Sequence, residues 1–180
     1  MTAYSTIVRA THVLTNAVWF GGSLAGAVAL NPASRKGQDA RERAEIADEG
    51  WRRWGPVQGA AVGLHLLSGI AILADNRRRV VGHRPTSAAV VLKTALTVAA
   101  VMVSAEAYRS GAELGDALER AETDPAARDQ ARTLTQRMSW LQWATPGATA
   151  GLLVLDAYLG EQQRGVAGLL DPPSSLRRRS

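Results

Sequence analysis

From Ala10 to Leu30 the chain reads ATHVLTNAVWFGGSLAGAVAL, with His12 as its one acidic, basic or histidine side chain. Three later stretches repeat this pattern, each with one such residue: Pro56–Ala74 with His65, Ala88–Ala105 with Lys93, and Leu141–Leu159 with Asp156. Each stretch is about 20 residues long, the length that an α-helix needs to cross a bilayer core. A soluble bundle would instead have shorter amphipathic helices with charges along one face. The sequence therefore predicts an all-α transmembrane bundle of four helices with extramembrane helical links.

The average composition hides this pattern. Hydrophobic residues make up 46% of the chain and charged residues 21%, which would suit a soluble protein, but the charges are concentrated between the apolar stretches. Cysteine is absent, which excludes disulfides and thiolate metal sites. The net charge of +5 fits Lys and Arg retained on cytoplasmic segments better than a nucleic-acid surface. We therefore expect a multi-pass protein of the plasma membrane. Its expected partner is the lipid bilayer, and it is not expected to bind nucleic acid.

Helix-ending and helix-starting residues set the predicted boundaries. The four-helix domain covers residues 1–163, with helices over about 4–30, 56–76, 87–108 and 140–160, and a basic, disordered tail over 164–180. Asn31-Pro32 is expected to end the first helix, Pro56 to begin the second after a surface helix over 39–53, and Asp124-Pro125 to restart a helix. Ala27-Val28-Ala29 also resembles a signal-peptide cleavage site, which is the alternative for the first stretch.

Aromatic and small residues support this topology. Aromatic residues mark one membrane interface at the two long links and the other at the opposite helix ends: Trp51, Trp54, Tyr108, Trp140 and Trp143 on the first side, Tyr4 and Tyr158 on the second. Glycines recur every fourth residue in three stretches: Gly22 and Gly26, then Gly55, Gly59 and Gly63, then Gly147 and Gly151. This spacing lets transmembrane backbones approach closely, within the bundle or in a homo-oligomer or a complex with another membrane protein. The dense positive charge of the 77–86 link and of the tail places both termini in the cytoplasm.

Each predicted span has one polar face. On the first helix this face holds Arg9, His12, Asn16, Trp19 and Ser23; on the others it holds Gln58, His65 and Ser68, then Lys93, Thr97 and Ser104, then Thr145, Thr149 and Asp156. Such groups should point into the bundle. From the rise per residue, Arg9, His12, Lys93 and Asp156 form one layer near the terminal side, with Asp156 as counter-charge to Lys93 or Arg9, whereas His65 lies one to two turns deeper.

His12 is followed by Trp19, Gly21 and Gly22. This His-x6-Trp-x-Gly-Gly pattern in a first membrane helix resembles the copper-resistance protein D-like superfamily and is similar to the bacterial HemJ-type protoporphyrinogen oxidases. Lys93 early in the third helix is similar to a Lys in the same region of the HemJ-type proteins.

The resemblance implies that His12 binds haem b as an iron ligand and that Lys93 handles porphyrin carboxylates. Arg9 and Arg84 could assist Lys93 near the propionates, and His65 is a candidate second axial ligand whose predicted depth counts against simple bis-His ligation. Copper transport is poorly supported, because Cu(I) prefers clusters of Met, His or Cys and this chain has three Met and no Cys.

Three functions remain open on the sequence. The first is a haem- or porphyrin-binding membrane protein that uses His12, Lys93, Arg9 and His65. The second is an accessory or scaffold protein whose charged links meet a partner, with His12 and His65 as hydrogen-bonded structural residues and with Lys93 and Asp156 as interfacial charges. The third is ion or proton translocation, which requires Lys93 and Asp156 to face each other.

Overall fold

The computed structural model describes residues 3–82 and 84–170, with side chains over 4–75 and 87–160. Its elements are α1 (Ala3–Ala25), a π-helical turn (Gly26–Leu30), α2 (Asn31–Ser34), α3 (Ala40–Gly82), α4 (Arg84–Arg120) and α5 (Pro125–Leu170). This part of the chain has no strand. The four long helices α1, α3, α4 and α5 pack against one another, which confirms the predicted all-α bundle.

Three helical segments are long and apolar enough to cross a membrane: Tyr4–Ser34, Ala40–Asp75 and Ser87–Arg120. The described part of α5 is not among them. The outer surface of the bundle is apolar: Leu67, Val91 and Val154 are each about two-thirds exposed. Soluble monomers rarely expose large apolar patches, whereas lipid covers them.

The first helix does not end at Asn31-Pro32 as predicted. The N–H group of Asn31 bonds to the carbonyl of Gly26, five residues back, and the helix then continues through α2 to Ser34. Pro32 lies in the first turn of α2, where a missing N–H group costs little. The wider π turn thus carries the helix past a residue pair that usually stops one.

The second helix does not begin at Pro56. The predicted surface helix and the predicted span form one helix, α3, with Pro56 inside it. Proline in a helix interior removes one backbone hydrogen bond. Because Pro56 lies on the exposed surface of α3, the carbonyl that loses its partner can be solvated locally. An exposed proline such as Pro56 therefore does not have to mark the start of a helix.

The predicted restart of a helix at Asp124-Pro125 is confirmed, because the Oδ1 atom of Asp124 accepts the N–H group of Ala126 at 2.8 Å. From there α5 runs without a break to Leu170, so the predicted tail over 164–180 begins inside this helix. Residues 171–180 lie outside the described part of the chain. In the predicted 77–86 link, α3 extends to Gly82 and α4 begins at Arg84.

Glycines and tryptophans set the register of α1 against α3. A Cβ atom at Gly22 would overlap the Trp54 indole, and one at Gly26 would overlap Trp51. The two helices therefore run antiparallel in close contact at this end. By contrast, nothing lies within 4 Å of a Cβ atom built at Gly55, Gly59 or Gly63, so this second glycine ridge is not used inside the described protomer.

Two apolar clusters hold the helices together. The first joins α1, α4 and α5 through Trp19, Ala100 and Leu152, all fully buried. The second lies where α4 and α5 extend beyond the predicted spans, and consists of Ala117, Ala131 and Leu134. The polar faces of the four long helices meet one to two turns away from the first cluster, which holds them against one another.

Candidate functional site

One residue from each long helix meets in a buried cluster: His12 of α1, His65 of α3, Lys93 of α4 and Asp156 of α5. The Nζ atom of Lys93 lies 2.7 Å from His12 Nε2 and also pairs with Asp156 Oδ1. The side chains of His12, Lys93 and Asp156 are 6%, 16% and 13% exposed. The predicted contact between Lys93 and Asp156 is thus present, and Lys93 is shared by a carboxylate and an imidazole.

The hydrogen bonds of His12 fix which of its ring nitrogens carries the proton. Nδ1 lies 2.9 Å from the backbone carbonyl of His65, which can only accept, so Nδ1 donates. Nε2 faces the Lys93 ammonium, which can only donate, so Nε2 accepts. His12 is therefore a neutral imidazole, and its one proton-accepting atom faces Lys93.

His12 and His65 form a reciprocal pair between α1 and α3. His65 Nδ1 donates to the carbonyl of His12 at 3.1 Å, mirroring the bond from His12 to the carbonyl of His65. Their rings stack with centroids 3.9 Å apart and planes 15° apart. Gly69 allows this approach, because a Cβ atom there would lie only 3.1 Å from His12 Cε1.

Neighbouring polar residues extend the cluster toward the centre of the bundle. Asn16 donates to Asp156 Oδ2 at 3.4 Å, and the indole N–H group of Trp19 donates to Ser104 Oγ at 3.1 Å. Trp19 also meets His65 edge to face, with centroids 6.0 Å apart. Asn16, Trp19 and His65 are all at most 1% exposed, so this group of residues, here called the polar layer, is shielded from solvent.

The structure changes the predicted position of His65. Instead of lying one to two turns deeper than His12, its ring is stacked on that of His12. Arg9 lies about one turn before His12 on α1 and is partly buried. The side chain of Arg84, the other predicted cation, lies outside the described residues.

The donor atoms limit how an iron ion could be held. Both His12 nitrogens are engaged, and one face of its ring is covered by His65. Nε2 of His65 is the histidine nitrogen in this cluster without a hydrogen-bond partner. Over the described residues, no group of three His, Cys, Asp or Glu side chains could hold a metal ion. His12 would have to release Lys93 before it could bind iron.

No family model, curated protein or solved structure matches this chain. The resemblance to the copper-resistance protein D-like and HemJ-type proteins therefore stays a prediction.

Sequence reasoning found the polar faces but did not select every residue that completes the cluster. Asp156 was expected as a counter-charge and not as a site residue, and Asn16 and Ser68 were only members of their polar faces. Ser68 Oγ lies 3.1 Å from His12 Nδ1. Gly69 was missed altogether. Gly69 lies four residues after His65 and therefore on the same face of α3. The helical repeat was the sequence signal that placed it beside the cluster.

Proposed function

We propose that this chain is a multi-pass protein of the plasma membrane that binds and transfers protons at its His12–Lys93–Asp156 cluster. In this proposal all four long helices cross the bilayer, with both termini in the cytoplasm. The observation that carries the proposal is the sharing of Lys93 between His12 Nε2 and Asp156 Oδ1. Ionisable residues are costly inside a membrane, and where they persist they commonly mark proton or ion pathways.

The cluster can exist in two arrangements that differ by one proton. In the observed arrangement His12 is neutral, and Lys93 and Asp156 balance each other in charge. A proton that binds Nε2 of His12 forms an N–H bond there and ends the hydrogen bond from Lys93. The imidazolium and the ammonium then repel each other at close range in a medium that screens charge weakly.

Asp156 can follow this change because it lies within reach of both cations. Its Oδ1 atom is 3.9 Å from His12 Nε2, inside the range of an ion pair. A protonated His12 can therefore pair with Asp156 while Lys93 moves toward the polar interface along its flexible stem. The titratable residues that face His12 in the described bundle are His65 on α3, Lys93 on α4 and Asp156 on α5.

Proton flux in sealed vesicles tests this function. The protein is reconstituted into liposomes that enclose a pH-sensitive dye, and a potassium diffusion potential is applied with valinomycin. We expect flux above that of protein-free liposomes, strong reduction in Asp156→Asn and Lys93→Met, and wild-type flux in the exposed control Glu45→Gln. Flux equal to that of empty liposomes, or undiminished in both cluster variants, would contradict the proposal.

Haem binding is the second candidate, favoured by the unpartnered Nε2 atom of His65, whose ring stacks on that of the Lys93-bound His12. A neutral imidazole nitrogen is a good iron ligand, and a cation nearby would suit a propionate. The absorption spectrum of the purified protein tests it. Haem binding predicts a Soret band that His65→Ala or His12→Ala removes. A colourless protein that gains no such band with added haem would exclude it.

A further inference from the structure

Two fully buried atoms of the polar layer find no hydrogen-bond partner among the described residues: Nε2 of His65 and Oδ1 of Asn16. His65 is 1% exposed and Asn16 is 0% exposed. A buried polar atom without a partner costs about 1–3 kcal/mol, so native proteins rarely leave two in one layer unsatisfied.

Both atoms can only accept a hydrogen bond. Nδ1 of His65 carries the ring proton, because it donates to the carbonyl of His12, and Nε2 therefore presents a lone pair. The amide nitrogen of Asn16 donates to the Asp156 carboxylate, which fixes the amide orientation and leaves Oδ1 as the carbonyl oxygen. A ligand between them must therefore donate twice.

The two atoms belong to the same level of the bundle. The His65 ring contacts the rings of His12 and Trp19, which lie about one turn before and one turn after Asn16 on α1. Asn16 therefore lies between the two α1 residues that the His65 ring contacts. A group that satisfies both must be small, because Asn16, Trp19 and His65 are all at most 1% exposed.

We propose that a water molecule binds between α1 and α3 and donates one hydrogen bond to His65 Nε2 and the other to Asn16 Oδ1. Water is the smallest double donor, and buried waters typically bridge otherwise unsatisfied polar groups. A metal cation suits the site less well, because no group of three His, Cys, Asp or Glu side chains in the described part of the chain could hold one.

This water site extends the histidine chemistry of the cluster, although it does not depend on proton flux. The Nδ1–H group of each histidine is tied to the other's backbone carbonyl, which cannot pass a proton on. Each ring can therefore take up a proton only at Nε2, which in His12 faces Lys93 and in His65 faces the bound water. The water gives the more deeply buried imidazole its own hydrogen-bond donor.

Solid-state NMR of the isotopically labelled protein in lipid bilayers tests the site. We expect magnetisation to pass from water protons to the His65 ring and the Asn16 side chain, but not to the equally buried Leu152. In Asn16→Leu the transfer to His65 should be lost. The control Thr149→Val should keep it, because the Thr149 hydroxyl bonds within its own helix.

Absence of transfer to His65 in the wild-type protein would overturn the proposal, as would transfer that is unchanged in Asn16→Leu. The wild-type spectrum decides the question even if Asn16→Leu does not fold. Failure here would leave the flux measurement unaffected, and failure of the flux measurement would leave this site in place.

Discussion

The Nε2 atom of His12 accepts a hydrogen bond from the Lys93 ammonium at 2.7 Å, and the same ammonium pairs with Asp156. This arrangement joins α1, α4 and α5 at one level and places opposite charges in an apolar setting. A buried ion pair is a poor source of stability in itself, but removal of one partner leaves the other uncompensated.

Removal of the carboxylate charge alone should destabilise the protein more than removal of both charges. We expect Asp156→Asn to lower the free energy of unfolding by about 3 kcal/mol, because Lys93 is left without a counter-charge. The double variant Lys93→Met/Asp156→Leu should recover most of this loss. Thermal unfolding in lipid nanodiscs measures both. A double variant that is as unstable as Asp156→Asn would show that the pair itself is net stabilising.

The contact between α1 and α3 should depend on Gly22. We expect Gly22→Ala to cost about 1–3 kcal/mol, since its Cβ atom would overlap the Trp54 indole. Gly21→Ala is the matched control, because a Cβ atom there meets nothing within 4 Å. The combination Gly22→Ala/Trp54→Ala should remove the overlap. Equal melting temperatures for Gly22→Ala and Gly21→Ala would show that this contact does not set the register.

The stability of the protein should depend on Leu152 in the first apolar cluster but not on Val154, two residues away. Leu152 is fully buried against Trp19 and Ala100, so Leu152→Ala should cost about 3 kcal/mol. Val154 is 68% exposed on the outer surface, and Val154→Ala should change stability by no more than about 0.5 kcal/mol. The same unfolding assay compares them. A larger loss in Val154→Ala would mean that α5 presents its other face to the bundle.

The absence of cysteine makes the membrane topology directly testable with single-cysteine variants. In intact cells a membrane-impermeant maleimide should label Glu122→Cys, between α4 and α5, and should label Ser175→Cys only after permeabilisation. Leu67→Cys, 66% exposed on the apolar surface, should stay unlabelled in both conditions because lipid covers it. Labelling of positions 122 and 175 from the same side would rule out a crossing by α5.

The sequence predicted much of the cluster because helical periodicity and depth are simple to count. His12, Lys93 and Asp156 were placed in one layer by their distances from the helix ends, and the structure brings them into contact. The depth of His65 was wrong because a count from predicted helix ends does not show how far one helix is shifted along its neighbour. The register of α3 is instead set by Trp51 and Trp54 against Gly26 and Gly22, a packing relation between distant residues that periodicity does not encode.

Some local signals were also overridden by their surroundings. Asn31-Pro32 would end most helices, but the π turn before it and the side chains around it carry the helix on. The side-chain nitrogen Nδ2 of Asn31 donates to Gln142 Oε1 at 3.2 Å. Its side-chain oxygen Oδ1 accepts from the Trp51 indole N–H group at 3.2 Å. These long-range contacts hold the pair in a helical conformation that its own sequence disfavours.

In the proposed function, His12 takes up a proton at Nε2 and exchanges Lys93 for Asp156. Nitrogen-15 NMR of labelled His12 and Lys93 in lipid bilayers, recorded as the pH is lowered, follows this exchange. We expect a neutral Nδ1–H imidazole at high pH. As Nε2 becomes protonated, its contact with the Lys93 ammonium should be lost in the same pH range, and Asp156→Asn should abolish this coupling. A neutral His12 protonated at Nε2, or a Lys93 contact that survives protonation of His12, would contradict it.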